Sequence, residues 1–203
     1  AHISGIDLIR DQHGQYCVLE DNLRTPSGVS YMLESRNVSQ TLLSKLYQSQ
    51  SVLPVADYPK RLKACLSSTT NKYDPQIVVL TPGRFNSAYY EHAFLAREMN
   101  VPLVHGYDLI VENNHVYIQG VRGKVQVDVI YRRIDDPFLD PLAFLPDSIL
   151  GVSGLMSVYR AGNVVITNAP GTGIADDKSL YPFVPKIIEY YLGEKPILPN
   201  VQT

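Results

Sequence analysis

Glu20 and Asn22 stand two residues apart at the end of the short apolar run Tyr16-Cys17-Val18-Leu19. Strand side chains alternate between faces, so the two share a face and Asp21 points the other way. A carboxylate and an amide oxygen at a strand end suit a hard cation such as Mg²⁺. A charged junction between strand and turn would carry the same residues. Arg24 falls on the same parity, ahead of a Thr-Pro-Ser-Gly turn, and could hold a phosphate or a carboxylate. Upstream, Asp7 sits between Ile6 and Leu8. The segment 3–22 reads as two strands around the turn at Asp11–Gly14, which brings Asp7 back beside Glu20. Asp7 is then either a third ligand to one ion or an edge-strand acid facing solvent.

Other residues with chemistry lie further along. Arg132 and Arg133 follow the alternating stretch VQVDVIY and precede Asp135 and Asp136. They form either a self-satisfied ion network or a clamp for a substrate carboxylate. Ser87 closes the glycine loop after the strand IVVL, where an anion could rest on a helix start. A helix cap by Asn86 or Ser87 is the plainer alternative. His92 and Glu91 lie in that helix without a nucleophile elbow, so no catalytic triad is read. His105 ends a strand at the presumed ligand edge. Lys178 follows the Gly-rich turn NAPGTG and two acids, which suits either a phosphate site or a plain ion pair.

The elements that must position these groups read as α/β. A hairpin is followed by mostly helical sequence over 29–70, with Pro59 in the first turn of a third helix. From Gln76 the order is strand, glycine loop, helix near 87–100 and strand VPLVHG, a βαβ unit with a parallel pair. A hairpin around Glu112–Asn114 comes next, then one strand through VQVDVIYRRIDD, a proline-punctuated loop over 137–147 and a helix through SILGVSGLMSVYRAG. Strand NVVIT then leads into a final helix that begins with Asp176, Asp177 and Lys178. A net charge of -2 gives no basic field for nucleic acid. With 45% hydrophobic residues the chain can bury a core. Cys17 and Cys65 lack metal spacing and suit a reducing compartment. No apolar run is long enough for a membrane span and the first residues carry no signal-peptide pattern, so a cytoplasmic location is expected.

Four long motifs carry a resemblance: LEDNLRTPSGVSYMLESR, LTPGRFNSAYYEHAFLAREM, VIYRRIDDPFLDPLAFLPDS and NAPGTGIADDKSLYPFVPKI. Together they resemble the circularly permuted ATP-grasp proteins, relatives of glutathionylspermidine synthetase, over essentially the whole chain. The resemblance implies an ATP-dependent carboxylate–amine ligase that forms an acyl phosphate and then an amide, with ATP and Mg²⁺ as cofactors. A non-catalytic relative that binds a peptide or partner protein is the other class. Asp7, Glu20 and Asn22 match the synthetase's metal ligands, and Lys178 resembles its ATP-phosphate lysine. Arg132 and Arg133 lie where related enzymes bring arginine to substrate. The synthetase arginine two places before the metal aspartate is Gly5 here, and Arg24 is the candidate replacement. The implied architecture is a Rossmann-like pre-ATP-grasp substrate domain with a parallel sheet core, at 75–166. It is flanked by parts of a circularly permuted ATP-grasp domain at 1–74 and 167–203. Family members are longer, so the resemblance implies a fragment, inactive alone and weak in ATP binding.

Overall fold

The computed structural model describes residues 1–121 and 123–202. The chain opens with strands β1 (Gly5–Arg10) and β2 (Tyr16–Asn22), then helices α1 (Val29–Leu42), α2 (Ser44–Ser49) and α3 (Tyr58–Ser67). Strand β3 (Ile77–Leu80), helix α4 (Tyr89–Met99) and strand β4 (Leu103–Val104) follow. Next come β5 (Leu109–Glu112), β6 (His115–Gly120), β7 (Gly123–Val127) and β8 (Val129–Arg132). Helix α5 (Leu155–Arg160), strand β9 (Val165–Thr167) and helix α6 (Val184–Leu192) complete the series. Contacts divide these into two compact units, one of residues 1–26 with 168–203 and one of 27–167. Residues 27–74, grouped above with the hairpin, fall in the second unit because α1 and α3 both pack on α4. No helix among the described residues is long and apolar enough to cross a membrane.

The second unit is built on a four-stranded parallel sheet in the order β4-β3-β8-β9. Strands β3 and β8 are buried along their whole length, as parallel strands covered on both faces must be. Their apolar runs IVVL and VIYR record that burial in the sequence. Val78, Leu80, Ile130 and Ile166 meet Leu139, Leu155 and Val158 in one core. An antiparallel sheet, β5-β6-β7, adds Val116 and Val127 to it. Asn113 and Asn114 turn its first hairpin with φ of 49° and 58°, the left-handed pair that a tight two-residue turn needs.

Three sequence expectations change here. The stretch VQVDVIYRRIDD is not one strand. It leaves the antiparallel sheet at Val127 and joins the parallel one at Val129. Asp128 makes the step by accepting the Gln76 N–H at 2.9 Å and the Lys72 ammonium at 2.5 Å. The helix expected through SILGVSGLMSVYRAG shrinks to α5. Gly154, at φ 83°, starts it, and the buried Asp140 carboxylate caps it from a distance. That carboxylate accepts the N–H groups of Leu142, Gly154 and Met156 at 2.9, 3.0 and 2.8 Å. Asp140→Ala strips the buried Met156 N–H and the half-buried Gly154 N–H of their partner, and a loss of about 1–3 kcal/mol in urea unfolding is expected. Third, Lys178 does not open a helix. It lies in a turn between two 3-10 segments, because Pro182 and Pro185 delay regular helix until Val184.

Candidate functional site

In the first unit, β1 and β2 pair antiparallel with Asp7 directly opposite Glu20 and Gly5 opposite Asn22. Opposed residues of an antiparallel pair project to the same face. Asp7, Glu20 and Asn22 therefore line one face of the hairpin. The register shifts by one between Asp7 and Leu8, so Leu19 is the extra residue of a bulge beside Glu20. Bulges of this kind re-aim side chains next to functional sites. The other edge of β2 is closed by residues 199–201. Val18 N–H donates to Pro199 O at 2.9 Å, Val201 N–H donates to Val18 O at 3.0 Å, and the Tyr181 hydroxyl also donates to Val18 O.

The Gly-rich segment after β9 clasps the end of β2. Asp176 Oδ1 accepts the N–H groups of Leu23 and Arg24 at 2.6 and 3.3 Å. Asn168 accepts from His2 and Ile3 N–H and donates to Ile3 and Leu23 carbonyls, all within 3.1 Å. The Arg24 guanidinium lies on the bare α-carbon of Gly173, where an added Cβ would stand 2.3 Å from Nε. Gly173→Ala should therefore push Arg24 aside while the fold persists.

Lys178 Nζ stands 3.2 Å from Glu20 Oε2, at the mouth of a cavity of about 240 Å³ lined in part by Asp21, Asp176, Asp177 and Tyr181. Burial raises the Asp21 carboxyl above its ordinary range. Among the described residues no group of three or more His, Cys, Asp or Glu side chains stands ready to hold a metal. The oxygen set Asp7, Glu20 and Asn22 still suits Mg²⁺, an ion that takes few protein ligands and completes its shell with phosphate oxygens and water.

In the second unit the connections diverge between β3 and β8. Strand β3 runs through α4 to β4 on one side, and β8 runs through α5 to β9 on the other. Open α/β sheets place ligands at the carboxyl ends of strands flanking such a point. Beside the carboxyl ends of β3 and β8 lies a buried polar cluster. Glu91 Oε2 accepts Gly28 N–H, Ser30 N–H and the Ser30 hydroxyl at 2.8, 3.0 and 2.9 Å, so a residue of α4 caps the start of α1. Arg133 reaches Glu91 Oε1 at 3.5 Å, donates to the Tyr131 hydroxyl at 3.0 Å, and donates to Ser27 Oγ. Burial foremost pushes the Tyr58 hydroxyl up to about 12. Arg132 is wholly buried, donates to Ile134 O at 2.9 Å and pairs with Asp136 at 2.6 Å. Both arginines are thus engaged inside the unit, the ion-network arrangement of the two that the sequence left open.

His92 is packed, not poised. Its Nδ1 lies 2.8 Å from Thr81 Oγ1, which also accepts the Gly83 N–H. Burial, with help from the Arg133 charge, holds its imidazole at about 3 against an ordinary 6.5. Between those values the unfolded chain binds a proton that the folded chain refuses. The stability due to neutral His92 is complete above about pH 6.5 and is lost progressively as pH falls toward 3. Urea midpoints should drop over that window, and His92→Gln should flatten the drop. Ser87 is exposed in the turn before α4, whose cap residue is Ala88. Asn86 Oδ1 accepts the Ala88 N–H at 2.9 Å, so neither Asn86 nor Ser87 caps the helix itself. His105 is held by Asp108 at 3.2 Å and stacks on Tyr107. Glu91, Ser27, Asn168 and Asp176 are positioning groups that the sequence did not single out for these roles. An acid next to His92 inside an apolar helix pattern was the one available signal.

A family model described as a circularly permuted ATPgrasp matches residues 1–203. An uncharacterized protein of Mycobacterium tuberculosis is 55% identical over 204 residues, covering 100% of this chain and 37% of the relative. An uncharacterized Synechocystis protein is 52% identical over 204 residues, covering 100% of this chain and 42% of its own length. A Frankia alni protein provisionally named glutamate–cysteine ligase 2-3 is 42% identical over 203 residues, covering 98% of this chain and 24% of itself. The chain thus spans well under half the length of these relatives.

Proposed function

The chain belongs to the circularly permuted ATP-grasp family, and from that premise we propose that it is the metal- and substrate-binding part of an ATP-dependent carboxylate–amine ligase. One observation carries the reading: Asp7 lies across from Glu20, Asn22 shares their face, and Lys178 stands beside Glu20. Bound Mg²⁺ would neutralise the nucleotide's phosphates and help orient the transferring phosphoryl group. Asp7, Glu20 and Asn22 would hold that ion from the hairpin face. Lys178 would exchange its contact with Glu20 for a phosphate oxygen. Arg24, fixed by Asp176 and Gly173, would face charge that develops during transfer. The substrate carboxylate takes up the phosphoryl group as an acyl phosphate, and an amine then displaces phosphate to leave an amide. The second unit serves as the Rossmann-like pre-ATP-grasp domain that presents the acid. The ligase name carried by the Frankia relative agrees with a small amino acid as acid or amine.

A non-catalytic binding role is the second reading, and Gly5 favours it. A Cβ at Gly5 would meet Pro26 Cβ at 2.9 Å, so the backbone as it stands resists any side chain where the synthetase family carries an arginine. The two readings separate on one assay. A ligase releases ADP from ATP only when Mg²⁺, an acid and an amine are all present. A binding module retains nucleotide without turnover across a broad panel of acids and amines.

A further inference from the structure

Resting on the ligase reading, we infer that Arg84 and Phe85, at the tip of the loop after β3, form the seat for the carboxylate co-substrate, on a loop base braced by His105. The loop stands where β3 ends at the point of diverging connections. Its base is pinned by the Gly83 N–H on Thr81 Oγ1 and by His92 on the same hydroxyl. Its tip is open. Phe85 is 91% exposed, so its ring is open to a ligand. The Arg84 guanidinium carbon lies 5.0 Å from the Phe85 ring centre, so the ring steadies the cation without neutralising it. Gly83 adopts φ +105°, and a Cβ there would stand 3.4 Å from His105 Cδ2 and 3.6 Å from Nε2. The loop backbone therefore rests against the edge of an imidazole whose other nitrogen is held by Asp108 at 3.2 Å. Tyr107 stacks parallel on that imidazole, its ring 4.9 Å away and largely exposed.

Burial separates the cations at this end of the sheet. Arg132 and Arg133 are buried and engaged with Asp136 and Glu91. Arg84 is exposed at the same sheet edge and presents a planar fork that fits a carboxylate. A flanking aromatic suits an acid that carries a short carbon chain.

Calorimetric titration of the whole protein with glutarate, and with its uncharged isostere glutaramide, tests the assignment. Glutarate should bind in the millimolar range and glutaramide about ten-fold more weakly or worse. R84Q, an exposed change that leaves the fold intact, should erase that difference. Glutarate binding that is undetectable in the wild type, or equal in R84Q and wild type, overturns the inference. So does inorganic phosphate displacing glutarate at equal concentration, which would assign the loop to the nucleotide. The assay needs no turnover. A protein that binds glutarate through Arg84 but never releases ADP overturns the ligase reading alone. Normal ADP release with glutarate binding indifferent to Arg84 overturns the seat alone.

Discussion

Replacing Glu20 by Gln in the whole protein is expected to cut Mg²⁺-dependent ADP release by about a hundred-fold or more. The change is nearly isosteric, so the hairpin should survive it. What is lost is charge. The carboxylate opposite Asp7 becomes an amide, and the hard-cation set falls from two carboxylates to one. Lys178 loses its partner in the same step, so a second variant is needed to separate the two effects. Lys178→Met removes only the cation. It should leave Mg²⁺ affinity unchanged or slightly tighter, since the ammonium no longer competes for Glu20. It should raise the KM for ATP if Lys178 meets a phosphate oxygen as proposed. Steady-state kinetics of both variants at varied Mg²⁺ and ATP distinguishes them. Equal defects in Mg²⁺ dependence would mean that the two residues act only as an ion pair.

Glu91→Ala should be the most damaging single change to the second unit, costing about 3–5 kcal/mol in urea or thermal unfolding. The carboxylate is wholly buried and serves Gly28 N–H, Ser30 N–H, the Ser30 hydroxyl and Arg133 together. Its removal leaves the start of α1 uncapped and the Arg133 charge without its carboxylate in a buried site. Glu91→Gln keeps the shape and some acceptor capacity and should cost less. Equal losses for Ala and Gln would show that the charge matters and the acceptors do not. A loss under about 1 kcal/mol for Glu91→Ala would mean that the cluster is poorly coupled to the core.

The sequence read well where physics is local. The run IVVL before a glycine loop and helix is a buried parallel strand, because a fully apolar run tolerates no solvent face. The hairpin 5–22 and its Asp7–Glu20 alignment followed from strand length and a glycine turn. Local cues failed where a distant partner decides the outcome. Asp140 shortens α5 from outside the helix, and Asp128 moves one run of alternating residues between two sheets. Pro182 and Pro185 could have flagged the late start of α6, but the acids and Lys178 ahead of them resemble a helix start. The arginine pair read equally as clamp or internal network from spacing alone. Its burial depends on Glu91 and Asp136, and Glu91 is 42 residues away from Arg133.

The central claim is that the hairpin face of Asp7, Glu20 and Asn22 holds the divalent ion that binds nucleotide. Electron paramagnetic resonance titration of the whole protein with Mn²⁺ and ATP tests it most directly. Wild type should take up Mn²⁺ tightly, and Asp7→Asn and Glu20→Gln should each weaken that uptake by about ten-fold or more while circular dichroism stays unchanged. Unaltered Mn²⁺ affinity in both folded variants would contradict the account.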